Sequence, residues 1–134
     1  WAEKFSKIMI QSLIDASLLI DETINFVKHN YQKYNMHIVS GSDGKELNKI
    51  CKGIGINHFF KSIEGSPTSK VKLVENSLKK ERYDKYKCVL IGDSINDYEA
   101  ANQNRIVFYG YNNFLLKCKF NNYIDSFDKL IFKQ

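Results

Sequence analysis

The chain has 134 residues, of which 43% are hydrophobic and 26% charged, a composition that excludes a disordered tail and supports a buried core. Its net charge of +5 comes from lysines spread along the sequence without a nucleic-acid-binding motif, so we predict no nucleic-acid partner and an attraction for anionic small molecules. No apolar run approaches the ~20 residues of a membrane span, so we predict no membrane partner.

The cysteine pattern indicates a reducing compartment. Cys51, Cys88 and Cys118 are an odd number without C-x-x-C spacing, which argues against a disulfide framework or a zinc site. The first residues, Trp1 to Lys4, do not have the pattern of a signal peptide. We therefore predict a cytoplasmic location.

The first third of the chain is predicted to contain two helices and a strand. Five apolar residues recur at helical spacing over residues 1–14, namely Trp1, Phe5, Ile8, Met9 and Leu13. After a connector at 16–20, Asp21 is placed to cap a helix over about 22–34. Residues 36–39, Met-His-Ile-Val, are predicted to form a short buried strand.

The turn after that strand is a candidate phosphate loop. Ser40–Gly44 is rich in hydroxyl groups and glycine, and the helix predicted over 45–52 follows it. Backbone N–H groups and a serine hydroxyl at a helix N-terminus suit an oxyanion. Serine and glycine also favour ordinary turns, which is the alternative interpretation.

A second candidate is Lys70. A short strand is predicted near 59–63, followed by a helix with Ser66 as its cap, Pro67 at its first position and its end near Glu81. Lys70 would lie in the first turn, where a cation opposes the helix dipole, which suggests a functional use. The alternative is a solvated surface lysine.

The strongest motif follows residues 89–91, which are wholly apolar and predict a strand buried on both faces. Gly92 permits a sharp turn, and Asp93 and Asp97 would lie at the carboxyl edge of the sheet, where α/β folds bind ligands. Two carboxylates there suit Mg²⁺, although aspartate is also common in turns and at helix starts.

The remaining elements complete an alternation of strands and helices. Strands are predicted at 106–109 and 123–124, and a last helix at 126–133. This alternation predicts an α/β fold with a doubly wound parallel sheet.

Three motifs in this order resemble the haloacid dehalogenase-like (HAD) superfamily, whose core is Rossmann-like. Ser40 matches its second motif, Lys70 its third, and Asp93 with Asp97 its fourth, of the G-D-S-x-N-D type. The segments that most resemble the phosphoglycolate phosphatase-like branch are residues 38–47 and 65–71. The resemblance extends from about residue 18 to the end.

The resemblance implies a role for each matching residue. Ser40, Gly41 and Lys70 would bind the phosphoryl group, and Lys70 and Asp97 would be catalytic. Asp93 would bind Mg²⁺ directly, and Asp97 would hold its waters or orient Lys70. In the family, an aspartate attacks phosphorus and forms a phospho-aspartate that water hydrolyses.

The chain departs from the family at its first motif, D-x-D-x-T, which would carry the nucleophile. Asp21–Thr23 imitates this motif but has Thr23 in place of the second aspartate and precedes its helix too closely. We therefore expect a C-terminal portion of a longer protein. Residues 1–17 would be the last cap helix with a connector, and 18–134 a core lacking its first, central strand.

Two functions remain open at this point. One is a Mg²⁺-dependent phosphatase of a small phosphorylated metabolite, or a phosphomutase, with the nucleophile motif missing from this chain. The other is a non-catalytic phosphate-binding or assembly protein derived from the same fold. The sequence specifies neither the substrate nor the oligomeric state.

Overall fold

A computed structural model describes the backbone of residues 7–11, 21–111 and 113–125, and the side chains from residue 24 within these ranges. The connector predicted at 16–20, the helix predicted at 126–133 and the domain boundary near residue 17 lie outside the described residues.

Six strands form one sheet in the order β3-β2-β1-β4-β5-β6, and every neighbouring pair is parallel. The strands are β1 (Lys7–Gln11), β2 (Asn35–Asp43), β3 (Ser62–Ser66), β4 (Cys88–Gly92), β5 (Val107–Tyr111) and β6 (Tyr123–Ile124). This confirms the predicted α/β class and the parallel sheet.

In the described ranges, five helices connect the strands: α1 (Asp21–Asn30), α2 (Gly44–Gly53), α3 (Lys70–Glu81), α4 (Ile95–Gln103) and α5 (Phe114–Lys119). Two short 3₁₀ turns, Asn57–Phe59 and Lys85–Lys87, precede β3 and β4. None of the helices in the described part of the chain has both the length and the apolar composition of a membrane span.

The prediction of a helix over residues 1–14 is wrong for residues 7–11, which are the part of this segment that the structure describes. Residues 7–11 form β1, which pairs with β2 on one side and with β4 on the other. Three apolar residues in a row, Ile8 to Ile10, fit a helical stripe as well as a strand with two apolar faces, so the apolar pattern could not separate the two. The central strand that we expected to be missing is therefore supplied by this chain.

The helix after β3 also begins later than predicted. Ser66 belongs to β3, and its hydroxyl donates a 2.6 Å hydrogen bond to the carbonyl oxygen of Gly41. Ser69 caps α3 instead, because its side chain accepts a hydrogen bond from the N–H of Lys72. Lys70 is consequently the first residue of α3, in the first turn as predicted.

The sheet has a hydrophobic core on each face, as a doubly wound fold requires. Successive residues of β4 alternate between them: Val89 and Ile91 join one core, and Cys88 and Leu90 join the other. The first core is covered by α1 and α2, through Val27, Leu47 and Cys51. The second is covered by α3, α4 and α5, through Leu73, Val74, Leu78, Ala100, Ala101 and Leu116.

The direction of strand addition reverses beside β1. From β1 the chain adds β2 and then β3 on one side, and it crosses over to add β4, β5 and β6 on the other. In such sheets ligands bind at the carboxyl edge, at the point where the order reverses. The ends of β2, β1 and β4 are thus where a site is expected.

Candidate active site

Ser40 and Asp93 leave the sheet at the same level, on either side of β1. Gln11 of β1 is paired with Val39, the residue before Ser40, and Ile10 is paired with Ile91, two residues before Asp93. One strand separates β2 from β4, so their backbones are about 10 Å apart, or two strand spacings.

The turn after Val39 is closed by local hydrogen bonds. The Ser40 side chain is fully buried, and its hydroxyl accepts a 3.0 Å hydrogen bond from the N–H of Ser42. The pairing of β2 with β3 shifts register between Val39 and Asp43, which lets the backbone of Ser40 and Gly41 bend out of the regular ladder. Gly41 is exposed at this bend.

Lys70 connects this turn with the fourth motif. A β-carbon placed on Gly41 would lie 3.5 Å from Cε of Lys70, so the lysine side chain passes directly over the glycine. Its Nζ then lies 3.0 Å from Oδ1 of Asp97 and forms an ion pair with it. Three of the predicted site residues, from three different elements, are brought together by this one side chain.

Asp97 is fully buried, and both of its carboxylate oxygens accept hydrogen bonds. Oδ2 accepts from the N–H of Asp93, the N–H of Ser94 and the Ser94 hydroxyl, at 3.0, 3.2 and 3.0 Å. Ser94 in turn accepts from the N–H of Asp97, which completes a capping box at the start of α4. These donors fix the Asp97 carboxylate as a support for Lys70 and for the turn that carries Asp93.

Asp93 is placed differently. Its side chain is half-buried, and burial, followed by the negative charge of Asp97, raises the pKa of Asp93 above its ordinary value of 3.8. The Lys70 charge acts in the opposite direction, but more weakly than these two causes. A carboxylate in this environment is stabilised by a cation at its open side.

Of the two carboxylates, Asp93 is better suited than Asp97 to bind a hard cation. Mg²⁺ needs only one or two protein carboxylates, the rest of its coordination being water and substrate oxygens. Asp93 has the half-buried, charge-repelled carboxylate that such an ion stabilises, whereas the Asp97 oxygens already accept from four donors. Within the described ranges, no group of three or more acidic, histidine or cysteine side chains could hold a metal on its own.

Two residues at the site were not predicted from the sequence. Ser94 was detectable, because a serine three residues before an acidic residue is the pattern of a capping box. Asn113, between β5 and α5, donates from Nδ2 to the carbonyl oxygen of Asp93 at 3.0 Å. The sequence carries no signal for this contact, since it joins residues 20 positions apart.

Ser40, Lys70, Asp93 and Asp97 therefore lie at the carboxyl edge of a doubly wound parallel sheet. Residues 1–110 match the family model of the haloacid dehalogenase-like hydrolases, and the chain belongs to this family.

Solved structures with this fold come from several bacteria. A haloacid dehalogenase-like family hydrolase from Streptococcus pneumoniae has a TM-score of 0.73 and 19% identity, over 82% of this chain and 57% of its own. A predicted phosphoglycolate phosphatase from Haemophilus somnus has a TM-score of 0.70 and 21% identity, over 80% of this chain and 53% of its own. At these identities the likeness establishes the fold.

The chain spans about half the length of these two structures, 57% and 53%. It spans 85% of the core domain of a candidate phosphoglycolate phosphatase from Streptococcus pneumoniae TIGR4, with a TM-score of 0.66 and 16% identity over 88% of this chain. None of the curated proteins compared with the chain matches it significantly.

Proposed function

We propose that the chain carries the phosphate- and Mg²⁺-binding part of a HAD-type phosphatase site for a small phosphorylated metabolite in the cytoplasm. The observation that carries this proposal is the Lys70–Asp97 ion pair of 3.0 Å, held over Gly41 and beside Asp93. It joins a cation, a backbone turn and a carboxylate at one sheet edge.

The roles of these residues follow from their surroundings. Lys70 carries a positive charge beside Gly41 and Asp97, and it would bind a phosphoryl oxygen by a charge-assisted hydrogen bond. The N–H of Gly41 and the Ser40 hydroxyl would bind the other oxygens. Asp93 would hold Mg²⁺, which supplies charge neutralisation for the phosphoryl group when bound. Asp97 would keep Lys70 oriented.

Family chemistry also requires an aspartate nucleophile that forms a phospho-aspartate. Sequence residues 12–16, which follow the last residue of β1, are Ser-Leu-Ile-Asp-Ala and contain no D-x-D. This observation favours the second candidate function, in which the chain by itself binds phosphate or an assembly partner without turnover. We therefore propose that the 134-residue chain binds phosphate but has negligible phosphatase activity.

Binding and turnover can be measured separately on the purified chain. We expect isothermal titration calorimetry to detect inorganic phosphate binding that Mg²⁺ strengthens, and Asp93→Asn to abolish the strengthening. Asp125→Asn is the matched control, because Asp125 pairs with Lys117 at the surface. A chain that binds no phosphate with or without Mg²⁺ contradicts the proposed function.

The second measurement is hydrolysis of p-nitrophenyl phosphate with Mg²⁺. We expect no turnover above the buffer rate. Robust turnover that is lost in Asp15→Asn or Asp21→Asn would show that the chain contains its own nucleophile, and would overturn the inactive part of the proposal. Asp15 and Asp21 are the first two aspartates after β1, and the separate substitutions show which of them is the nucleophile.

A further inference from the structure

Asn113 makes three hydrogen bonds that join three parts of the fold. Its Nδ2 donates to the carbonyl oxygen of Asp93 at 3.0 Å, and its Oδ1 accepts from the N–H of Leu115 at 3.1 Å. Its own N–H donates to the Tyr123 hydroxyl at 3.2 Å. The residue thus caps α5 and contacts both β6 and the turn after β4.

The register of the sheet explains this contact. Gly110 of β5 is paired with Gly92 of β4, so the chain leaves both strands side by side. Asn113 comes three residues after Gly110 and reaches back to the residue after Gly92. The contact is therefore part of the same carboxyl edge as the candidate site.

Asp93 is consequently held on both sides of its α-carbon. Its N–H donates to Oδ2 of Asp97, and its carbonyl oxygen accepts from Asn113, each at 3.0 Å. With the peptide groups on both sides fixed, the Asp93 carboxylate can move only by rotation of its side chain. Mg²⁺ demands nearly ideal octahedral geometry, so a ligand on a fixed backbone binds it with less reorganisation.

We propose that Asn113 is a positioning residue for the Mg²⁺ ligand Asp93; the proposal rests on the proposed function, which makes Asp93 that ligand. Asn113 acts through the Asp93 backbone and does not touch the metal or the phosphate. Partners that orient a metal ligand change metal affinity by about 10- to 100-fold when they are removed.

The residue type matters because one side chain performs two tasks. Asparagine, aspartate and serine are all good helix caps. Of these, asparagine presents an acceptor for the cap and, at the same time, an N–H donor with the reach to contact a second segment. Asn113→Ser therefore retains the cap of α5 and loses the bond to Asp93.

The test measures Mg²⁺ affinity of the full chain by isothermal titration calorimetry, with thermal unfolding of the same samples. We expect Asn113→Ser to weaken Mg²⁺ binding by about tenfold and to leave a cooperative unfolding transition. Asn121→Ser, at an exposed asparagine of the following loop, should bind Mg²⁺ like the unmodified chain. The amide resonances of Asp93 and Ser94, followed by NMR, should shift as Mg²⁺ is added. In Asn113→Ser the midpoint of this shift should lie at a higher Mg²⁺ concentration than in the unmodified chain.

The outcomes separate the two proposals. If the unmodified chain and Asn113→Ser bind Mg²⁺ equally, Asn113 is only a helix cap and the inference is overturned while the proposed function stands. If the unmodified chain binds no Mg²⁺, both the metal part of the proposed function and the inference fail. If Asn113→Ser does not fold, Asn113→Thr is the second variant, because threonine also caps helices and lacks the amide donor to Asp93; an unchanged Mg²⁺ affinity there overturns the inference.

Discussion

Gly92 and Asp97 lie so close together that a β-carbon on Gly92 would be 2.5 Å from the carboxyl carbon of Asp97. The glycine is therefore required by the packing of the buried carboxylate, and this contact fixes the turn between β4 and α4. Because Asp97 also bonds to Lys70, the same contact determines where the lysine lies.

Gly92→Ala should destabilise the fold by about 1–3 kcal/mol, since an added methyl group must displace a buried, hydrogen-bonded side chain. Urea unfolding measures this free energy. Gly53→Ala is the matched control, because nothing lies within 4 Å of a β-carbon there and alanine is the better helix residue. Equal unfolding midpoints for the two variants would contradict the packing argument.

Lys70→Ala should weaken binding of inorganic phosphate by about 10- to 100-fold, the effect of losing a charged hydrogen bond of about 1.5–3 kcal/mol. It should also lower stability, because Asp97 is fully buried and would lose its cationic partner. Calorimetry and urea unfolding provide the two readouts. Lys72→Ala, which removes an exposed ion pair with Glu75, should change neither by much. A phosphate affinity that is unaltered in Lys70→Ala would show that the lysine only supports Asp97.

A buried polar cluster supports β2 from the side opposite α1. His37 is 1% exposed, and its ring nitrogens lie 2.7 Å from the Ser62 hydroxyl and 2.7 Å from the Tyr83 hydroxyl. Tyr83→Phe removes the second of these bonds and should cost about 1–2 kcal/mol in the free energy of unfolding. Tyr86→Phe is the control, since Tyr86 is 91% exposed. A loss of stability in both variants alike would argue against a role for the cluster.

The three cysteines should differ in reactivity. Cys118 is exposed, whereas Cys51 and Cys88 are buried, and burial raises the pKa of the Cys51 thiol above its ordinary value of 9.0. Since the thiolate is the reactive form, Ellman's reagent at pH 8 should titrate one thiol rapidly and the other two only on unfolding. Cys118→Ser should remove the rapid phase.

The same shift predicts how stability depends on pH. Above pH 9 the folded state retains the Cys51 proton longer than the unfolded chain does, so the free energy of unfolding should fall as pH rises through that window. In Cys51→Ala, the free energy of unfolding should fall less steeply over the same pH range. In the titration with Ellman's reagent, a rapid reaction of two or three thiols in the folded chain would contradict the burial of Cys51 and Cys88.

The sequence by itself determined the fold class and the order of most elements, and it predicted Gly41, Lys70 and Asp97, which the structure brings together. Short apolar strands ending in small or acidic residues, as before Ser40 and Asp93, are local patterns that can be detected from neighbouring residues. The capped helix start at Ser94 could likewise be predicted from neighbouring residues alone.

The tertiary structure decided what depends on partners distant in the chain. Whether residues 7–11 formed a helix or a strand was decided by pairing with β2 and β4, which begin about 28 and 81 residues later. The start of α3 depended on whether Ser66 was held by Gly41, and the support of Asp93 depended on Asn113. Such contacts depend on how the whole sheet packs, and a pattern of neighbouring residues does not contain that information.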